Sequence, residues 1–232
     1  MNRTVQSERM RNAKPRIKGI ILDLDGTLVD SREAYLEAMK TAFAAIGQKI
    51  VDIRIATEIP KRLEQNLPID DLLEGMNVKK FLTVYLRTYY QSTTTKSKLI
   101  PDASDALREL SQSAKLALVT MRHVPKSQVA RQLEDLGIAQ YFEIIVTALD
   151  TCNSKPSPEA LIICAGKLGI DVSESAVVGD SVVDVRAGKN AGARTVAVLT
   201  GIFSREELER ENPDLILESV SQLPDFLDLL LK

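Results

Sequence analysis

Two aspartates near the start of the chain directly follow an apolar run. The stretch "IILDLDGTLVDS" at 20–31 contains Asp23 and Asp25, and Gly26 and Thr27 come next. Residues two apart on an extended segment point the same way, so we expect the two carboxylates to share one pocket. Neighbouring carboxylates repel each other unless a divalent cation offsets their charge or one of them holds a proton. By itself, the pattern also fits a strand end followed by an acidic turn.

A second acidic pair follows another apolar run. In "AVVGDSVVDVRAG" at 176–188, Asp180 ends the run and Asp184 comes four residues later, one helical turn on. Carboxylates at the ends of two separate parallel strands are what a hard, oxygen-seeking ion such as Mg²⁺ requires. The alternative for this stretch alone is a capped helix start.

Two further residues have the chemistry to hold phosphate. Thr120 ends the apolar stretch "LALVT", and Lys155 in "NSKPSPE" precedes Pro156, which biases the lysine backbone toward an extended form. A lysine at this place can neutralise phosphoryl oxygens while a metal ion takes the others. Each residue alone is more often a cap or a solvated charge, but their joint order along the chain favours a phosphate site.

The elements that would position these residues alternate along the chain. Apolar runs predict strands at 17–22, 116–120, 144–147, 176–179 and 195–199, with a weaker sixth at 215–217. Between them, "VPKSQVARQLEDLG" and "PSPEALIICAGKLG" have helical spacing, and each ends in a glycine suited to a left-handed cap. This alternation predicts an α/β fold, a Rossmann-like doubly wound parallel sheet covered on both faces. Ligands collect at the carboxyl ends of the strands in such sheets.

The interval from 31 to 98 breaks this alternation. The helical period predicts a helix from about 31 to 46, capped by Asp30 or Ser31, and a later one around 78–89. The polar stretch "STTTKSK" at 92–98 predicts a return linker. We therefore expect three parts, namely a flexible N-terminal arm at 1–16, an α/β core from 17–30 and 99–232, and a small α-helical cap domain at 31–98.

Composition excludes several classes of function. The 232 residues carry a formal net charge of -2 and only 4% aromatic residues, so no basic field or stacking platform for nucleic acid is expected. The apolar stretches are too short for a membrane span. Cys152 and Cys164 are too few for a disulfide framework or a thiolate metal site, and we expect inert thiols in a reducing cytoplasm.

The order of the motifs resembles that of a known family. D-x-D-G-T after a first strand, Thr120 after a second, Lys155 and Pro156 before a helix, and G-D-S-x-x-D at 179–184 are similar to the four motifs of the haloacid dehalogenase-type phosphohydrolases. The insert at 31–98 stands where members with a small α-helical cap carry it. Within the superfamily, the chain resembles the phosphoglycolate phosphatase-like and β-phosphoglucomutase-like branch.

The resemblance implies a role for each motif residue. Asp23 would be the nucleophile that forms an aspartyl-phosphate, and Asp25 the general acid and base. Thr120 and Lys155 would hold the transferring phosphoryl group. An acid at position 25 also favours phosphoryl chemistry over dehalogenation, because the true dehalogenases generally lack one there.

The same resemblance implies Mg²⁺ as the cofactor. Its ligands would be the Asp23 side chain, the Asp25 backbone carbonyl and Asp180, with Asp184 bound directly or through water. One departure from the family pattern is Met121, where many relatives carry Asn.

The sequence says least about the substrate, which we expect to be a small phosphorylated metabolite of a monomeric or homodimeric enzyme. In relatives, a cap loop contacts the leaving group, and "ATEIPKRLEQ" at 56–65 resembles that loop. Lys61 and Arg62 are therefore candidates to contact an anionic substrate such as phosphoglycolate. The alternative is two solvated charges at a helix start. Arg122 and His123 are assigned no role.

Two other functions stay open at this point. The first is a phosphomutase of the β-phosphoglucomutase type, disfavoured by Tyr35, which stands where many such enzymes have a histidine. The second is a non-catalytic binding protein on the same fold, disfavoured because a scaffold has no need of Asp25. Release of inorganic phosphate rather than an isomerised sugar phosphate would separate a phosphatase from a mutase.

Overall fold

A computed structural model of the protein describes residues 16–48, 52–96 and 98–227. Nearly all of the predicted N-terminal arm, residues 1–15, lies outside this part of the chain. In these three ranges no helix is long and apolar enough to cross a membrane.

A six-stranded parallel sheet forms the centre of the molecule, as predicted. Its strands are β1 (Gly19–Leu22), β4 (Lys115–Val119), β5 (Phe142–Val146), β6 (Ser175–Gly179), β7 (Arg194–Val198) and β8 (Leu215–Leu217). Their order across the sheet is β5-β4-β1-β6-β7-β8, and every pair is parallel. The chain runs outward from β1 in both directions, so β1 lies at the switch point where parallel sheets bind ligands.

Helices cover both faces of the sheet. They are α4 (Ala103–Leu110), α5 (Lys126–Asp135), α6 (Glu159–Leu168), α7 (Val182–Ala191) and the short α8 (Arg205–Arg210). Side chains alternate across β1, so Ile20 and Leu22 join one hydrophobic cluster and Ile21 joins another. The continuous apolar runs of the sequence follow from this burial on two sides.

Three helices form the insert between β1 and the rest of the sheet. They are α1 (Arg32–Ala45), α2 (Ile53–Glu64) and α3 (Val78–Lys96), with a short 3₁₀ turn at Asp70–Leu73. The insert has a hydrophobic cluster of its own, in which the Phe43 and Phe81 rings meet edge to face at 5.0 Å. This separate core supports the predicted division into an α/β core and a helical cap domain, whose boundaries stay a prediction.

One local prediction about the insert was wrong, and one feature of it was missed. The stretch 92–98 is not a linker over most of its length, because α3 continues to Lys96 with Ser92 and Thr93 buried. Packing against the core overrides the low helix propensity of this polar run. The chain leaves and re-enters the core through a short antiparallel pair, β2 (Val29–Asp30) with β3 (Lys98–Leu99), which no sequence pattern indicated.

The start of α1 also differs from its prediction. Ser31 occupies the cap position, but its hydroxyl makes no capping hydrogen bond and donates instead to Asp25 at 2.5 Å. Asp30 accepts from the Arg32 backbone N–H at 3.1 Å. Of the two residues expected to cap the helix, Asp30 therefore accepts from a backbone N–H of its first turn, and Ser31 serves the acidic pair instead.

Candidate active site

The four motifs meet at the carboxyl edge of the sheet. Asp23 follows β1, Thr120 follows β4 and Asp180 follows β6, and these three strands are neighbours. Lys155 lies before α6, in the loop that crosses the same edge. Parallel strands bring these distant segments together because their carboxyl ends all lie on one side of the sheet.

Three carboxylates form a compact cluster at this edge. One oxygen from each of Asp23, Asp180 and Asp184 lies within 4.8 Å of the others. Asp180 is packed so tightly that a Cβ at Gly26 would stand 2.4 Å from its Oδ2, and one at Gly201 only 1.7 Å from it. Any side chain at either glycine would displace the carboxylate, so both glycines are part of how the cluster is built.

Lys155 bridges two members of the cluster. Its Nζ lies 2.6 Å from Asp23 Oδ1 and 2.5 Å from Asp184 Oδ1, and the ammonium is buried. Burial alone would lower the pKa of Lys155, but the charges of Asp184 and Asp23 outweigh it and raise that pKa. The lysine is therefore a fixed positive charge on the floor of the site. Thr27 satisfies the third acid, donating to Asp180 Oδ1 at 2.9 Å.

The cluster carries more negative charge than its lysine balances. Burial raises the pKa of Asp23 to about 8, against the opposing effect of Lys155, and burial with the nearby Glu64 raises the pKa of Asp180 well above its ordinary value. Three close carboxylate oxygens with one ammonium fit a hard divalent cation, which would replace the protons that these acids otherwise hold.

Asp25 faces the same cavity but has different partners. Arg122 donates to it through Nε at 2.5 Å and through Nη2 at 2.6 Å, and Ser31 donates to the same carboxylate. Burial acts to lower the pKa of Arg122, but the adjacent Asp25 raises it on balance. A bidentate guanidinium fixes both the charge and the direction of a carboxylate, so Asp25 is oriented from two sides.

Arg122 is itself tied to the insert. Its Nη1 donates to Gln132 Oε1 at 2.6 Å, and Gln132 Nε2 donates to the Thr93 carbonyl at 2.8 Å. We gave Arg122 no role from the sequence, and nothing in "TMRHVPKS" indicates that it reaches Asp25, 97 positions earlier. Its place directly after the Thr120 motif was the one available signal.

Thr120 lies where the sequence predicted, at the end of β4. Its hydroxyl is buried and accepts from the Arg122 backbone N–H at 3.3 Å. The following Met121 and the exposed His123 also line the cavity. The loop after β4 therefore supplies both a polar floor residue and part of the wall.

A cavity of about 340 Å³ lies between this floor and the insert. All six predicted core-site residues line it, namely Asp23, Asp25, Thr120, Lys155, Asp180 and Asp184. The insert supplies the opposite wall with mostly aromatic and aliphatic side chains, namely Tyr35, Pro60, Leu63, Glu64, Asn66, Leu82, Tyr85, Leu86, Tyr89 and Tyr90. The predicted convergence of the four motifs on one pocket is what the geometry presents.

The two cations proposed from the insert, Lys61 and Arg62, do not line this cavity. They lie in the last turn of α2 rather than in a loop or at a helix start. Lys61 pairs with Glu207 at 2.5 Å, and Arg62 pairs with Glu58 and Asp71. Both charges are thus committed to acids, and only the Glu58–Arg62 pair, four residues apart on one helix, has a spacing that the sequence indicates.

Glu64 faces the cavity from the same turn of α2, and the sequence gave no sign of it. It accepts a hydrogen bond from the Tyr35 hydroxyl at 2.7 Å. Burial raises the pKa of Glu64 to about 7, although hydrogen bonds from Tyr35 and Ser181 act to lower it. The structure thus replaces a predicted pair of cations on the insert side with one acid.

Comparisons with known proteins agree with this geometry. The family described as "Haloacid dehalogenase-like hydrolase" matches residues 20–198, which include all four motifs. The chain belongs to the haloacid dehalogenase-like hydrolases. It is related to the phosphoglycolate phosphatases, and it is a phosphatase.

Relatives and solved structures match over nearly the whole chain. A phosphoglycolate phosphatase of Shigella boydii serotype 4 (strain Sb227) is 30% identical, covering 92% of this chain and 93% of the relative. Another, of Salmonella paratyphi A (strain ATCC 9150 / SARB42), is 31% identical, covering 94% and 95%. A haloacid dehalogenase-like hydrolase of Streptococcus pneumoniae has the same fold, with a TM-score of 0.72, 22% identity, and coverage of 90% of this chain and 98% of that one.

Proposed function

We propose that the protein is a Mg²⁺-dependent phosphatase that hydrolyses a small phosphate monoester through an aspartyl-phosphate on Asp23. The observation that carries this proposal is the placement of Asp23 on the floor of the cavity, with Lys155, Asp180 and Asp184 around it. A carboxylate nucleophile needs positive charge near the phosphoryl oxygens that it approaches, and this floor can hold it.

In the first half-reaction, a free oxygen of Asp23 attacks phosphorus and the bond to the leaving oxygen breaks. Asp25 gives that oxygen a proton. In the second half-reaction, Asp25 takes a proton from water, the water oxygen attacks phosphorus, and the bond to Asp23 breaks to release inorganic phosphate. Hydrogen bonds from Arg122 and Ser31 hold the Asp25 carboxyl group in place for both proton transfers.

The cation would be held by the side chains of Asp23, Asp180 and Asp184 and by the backbone carbonyl of Asp25. When bound, Mg²⁺ offsets the charge of the carboxylates and of the phosphoryl oxygens. Thr120 and Lys155 bind the remaining oxygens of the transferring group, Thr120 through its hydroxyl and Lys155 through its ammonium.

Phosphoglycolate belongs in the panel of test substrates, because relatives at 30% and 31% identity carry the name phosphoglycolate phosphatase. The broader expectation is a small phosphorylated metabolite.

The test is inorganic phosphate release from a panel of phosphorylated metabolites with Mg²⁺. Asp23→Asn should abolish turnover and leave the fold intact by circular dichroism. Asp105→Asn changes an exposed aspartate on α4, far from the cavity, and should behave like the wild type. Turnover by Asp23→Asn close to the wild-type rate would refute the proposed nucleophile.

A further inference from the structure

The wall of the cavity that faces the phosphate floor is apolar and rich in rings. Tyr85 and Tyr89 lie nearly parallel, 3° apart in plane with centroids 6.2 Å apart, and Tyr35 stacks on Tyr89 at 4.7 Å. Leu63, Leu82, Leu86 and Met121 fill the space beside the rings. A leaving group held on this wall would contact aromatic faces and aliphatic side chains rather than charged groups.

No unpaired lysine or arginine lines the cavity in the part of the chain that the structure describes. Lys155 is shared between Asp23 and Asp184, and Arg122 gives two hydrogen bonds to Asp25. Binding a second anion, such as the carboxylate of a phosphorylated acid, requires a donor or cation that is not already engaged. Neither of these two cations meets that requirement.

The ionisable group on the insert side is Glu64, and it has the wrong sign for an acidic substrate. Among the described residues, no lysine or arginine pairs with it within 4.0 Å, and the Tyr35 and Ser181 hydroxyls that donate to it are neutral. A carboxylate without a cationic partner in a confined cavity repels a carboxylate on the ligand. It also accepts hydrogen bonds from a hydroxyl or N–H.

We propose that the phosphatase is selective for phosphate monoesters whose leaving group is an uncharged alcohol bearing a planar ring, and that Glu64 discriminates against leaving groups that carry a carboxylate. This inference rests on the proposed function, because it concerns the alcohol released from the same site. It places phosphoglycolate among the poor substrates. A volume of about 340 Å³ has room for a phosphoryl group and one ring.

Matched substrate pairs test the inference on the wild-type protein. Benzyl phosphate and 4-(phosphonooxymethyl)benzoate release similar benzylic alcohols and differ by one carboxylate; 2-hydroxyethyl phosphate and phosphoglycolate form a second, aliphatic pair. We expect kcat/KM, measured by phosphate release with Mg²⁺, to favour the uncharged member of each pair by at least about tenfold. Benzyl phosphate should also exceed 2-hydroxyethyl phosphate.

Variants of α2 test the part assigned to Glu64. Glu64→Gln keeps the size of the side chain and removes its charge, so the ratio of kcat/KM between the members of each pair should shrink by at least about threefold. Glu58→Gln is the control, because Glu58 is on the same helix, pairs with Arg62 and does not line the cavity. Its ratios should equal those of the wild type.

The outcomes separate the two proposals. Equal or faster hydrolysis of the carboxylate member of each pair would overturn the substrate inference and leave the phosphatase function in place. Unchanged ratios in a folded Glu64→Gln protein would remove Glu64 as the discriminating residue. Absence of phosphate release from every ester, including the activated 4-nitrophenyl phosphate, would instead count against the proposed function.

Discussion

The floor and the insert wall of the cavity are built on opposite principles. On the floor, Lys155 contacts Asp23 and Asp184 at 2.5 to 2.6 Å, Thr27 donates to Asp180 at 2.9 Å, and each of these contacts joins residues at least 29 positions apart. The insert wall consists of tyrosines and leucines around a single acid. The floor is suited to one reaction on one group, the phosphoryl, whereas the insert wall determines which alcohol can lie behind it.

This difference has an energetic side. Burying charged groups on the floor opposes folding unless they are paired. The floor therefore makes the free energy of folding less favourable, and the rest of the core offsets this. The insert wall continues into the apolar cluster of the insert, where Phe81 and Tyr85 are buried, and its side chains favour folding. Substitutions on the floor and on the insert wall should therefore change activity and stability in different proportions.

The largest expected effect is on the floor. Asp180→Asn should lower kcat/KM on the order of 10³-fold, because loss of a metal ligand removes several kcal/mol of charge stabilisation. The same change removes a carboxyl group whose ionisation is opposed by burial, so at alkaline pH the melting temperature of the metal-free protein should rise. Thermal melts in EDTA together with phosphate-release assays would measure both. A lower melting temperature would contradict the view that this charge opposes folding.

Metal binding should stabilise the protein more at high pH. Asp23 has a pKa of about 8 in the folded protein and 3.8 ordinarily, so the folded state holds an extra proton between these values and metal-free stability falls as the pH rises through them. A cation displaces that proton. Mg²⁺ at about 100 times its Kd adds about 2.7 kcal/mol, or roughly 5 to 10 °C.

Differential scanning fluorimetry at about pH 6 and about pH 8.5, with and without Mg²⁺, measures this effect. The gain in melting temperature should be larger at the higher pH. The Asp180→Asn protein is the control and should show little gain at either pH. A gain that is equal at both pH values would show that no proton is displaced from the acidic cluster.

Arg122 provides an intermediate test, because it belongs to the floor but acts through Asp25. Arg122→Lys keeps the charge and loses the bidentate geometry, so kcat should fall by about 10- to 100-fold while KM changes little. Arg131→Lys, the same change at an exposed position of α5, is the matched control and should leave kcat unchanged. A change in KM alone would point to substrate binding instead of positioning of Asp25.

The smallest expected effect is on the insert wall. Tyr35→Phe removes the hydroxyl that donates to Glu64 and should reduce the free energy of unfolding by about 0.5 to 1.5 kcal/mol. The stacked ring remains, so hydrolysis of benzyl phosphate should stay within about threefold of the wild type. Urea unfolding and steady-state kinetics would check both values. A loss of activity comparable to that of Asp180→Asn would place Tyr35 with the floor.

The sequence predicted the floor well because its signal is local. Each of Asp23, Thr120 and Asp180 directly follows a buried apolar run, and the rule that parallel strands expose ligand sites at their carboxyl ends is enough to bring them together. The sheet was predictable for the same reason, since strands buried on both faces have uninterrupted apolar runs.

The insert wall was not predictable because its signals are tertiary. Lys61 is of a residue type suited to contact an anionic substrate. Its ammonium instead pairs with Glu207 and lies 5.4 Å from the centre of the Phe203 ring. Ser92 and Thr93 are polar residues of the kind found in linkers, but they are buried and belong to α3. The positions of Glu64 and Arg122 in the site depend on contacts with residues distant in the chain. No local sequence pattern indicates such contacts.

The chain of hydrogen bonds from Thr93 through Gln132 and Arg122 to Asp25 has a mechanical consequence. It joins the final turn of a helix in the insert to the group that would exchange protons with the leaving alcohol. Any rotation of that turn away from the sheet stretches or breaks one of the hydrogen bonds that lead to the Asp25 carboxylate. The proton transfers assigned to Asp25 are consequently coupled to the position of the helical insert, and three side chains transmit the coupling.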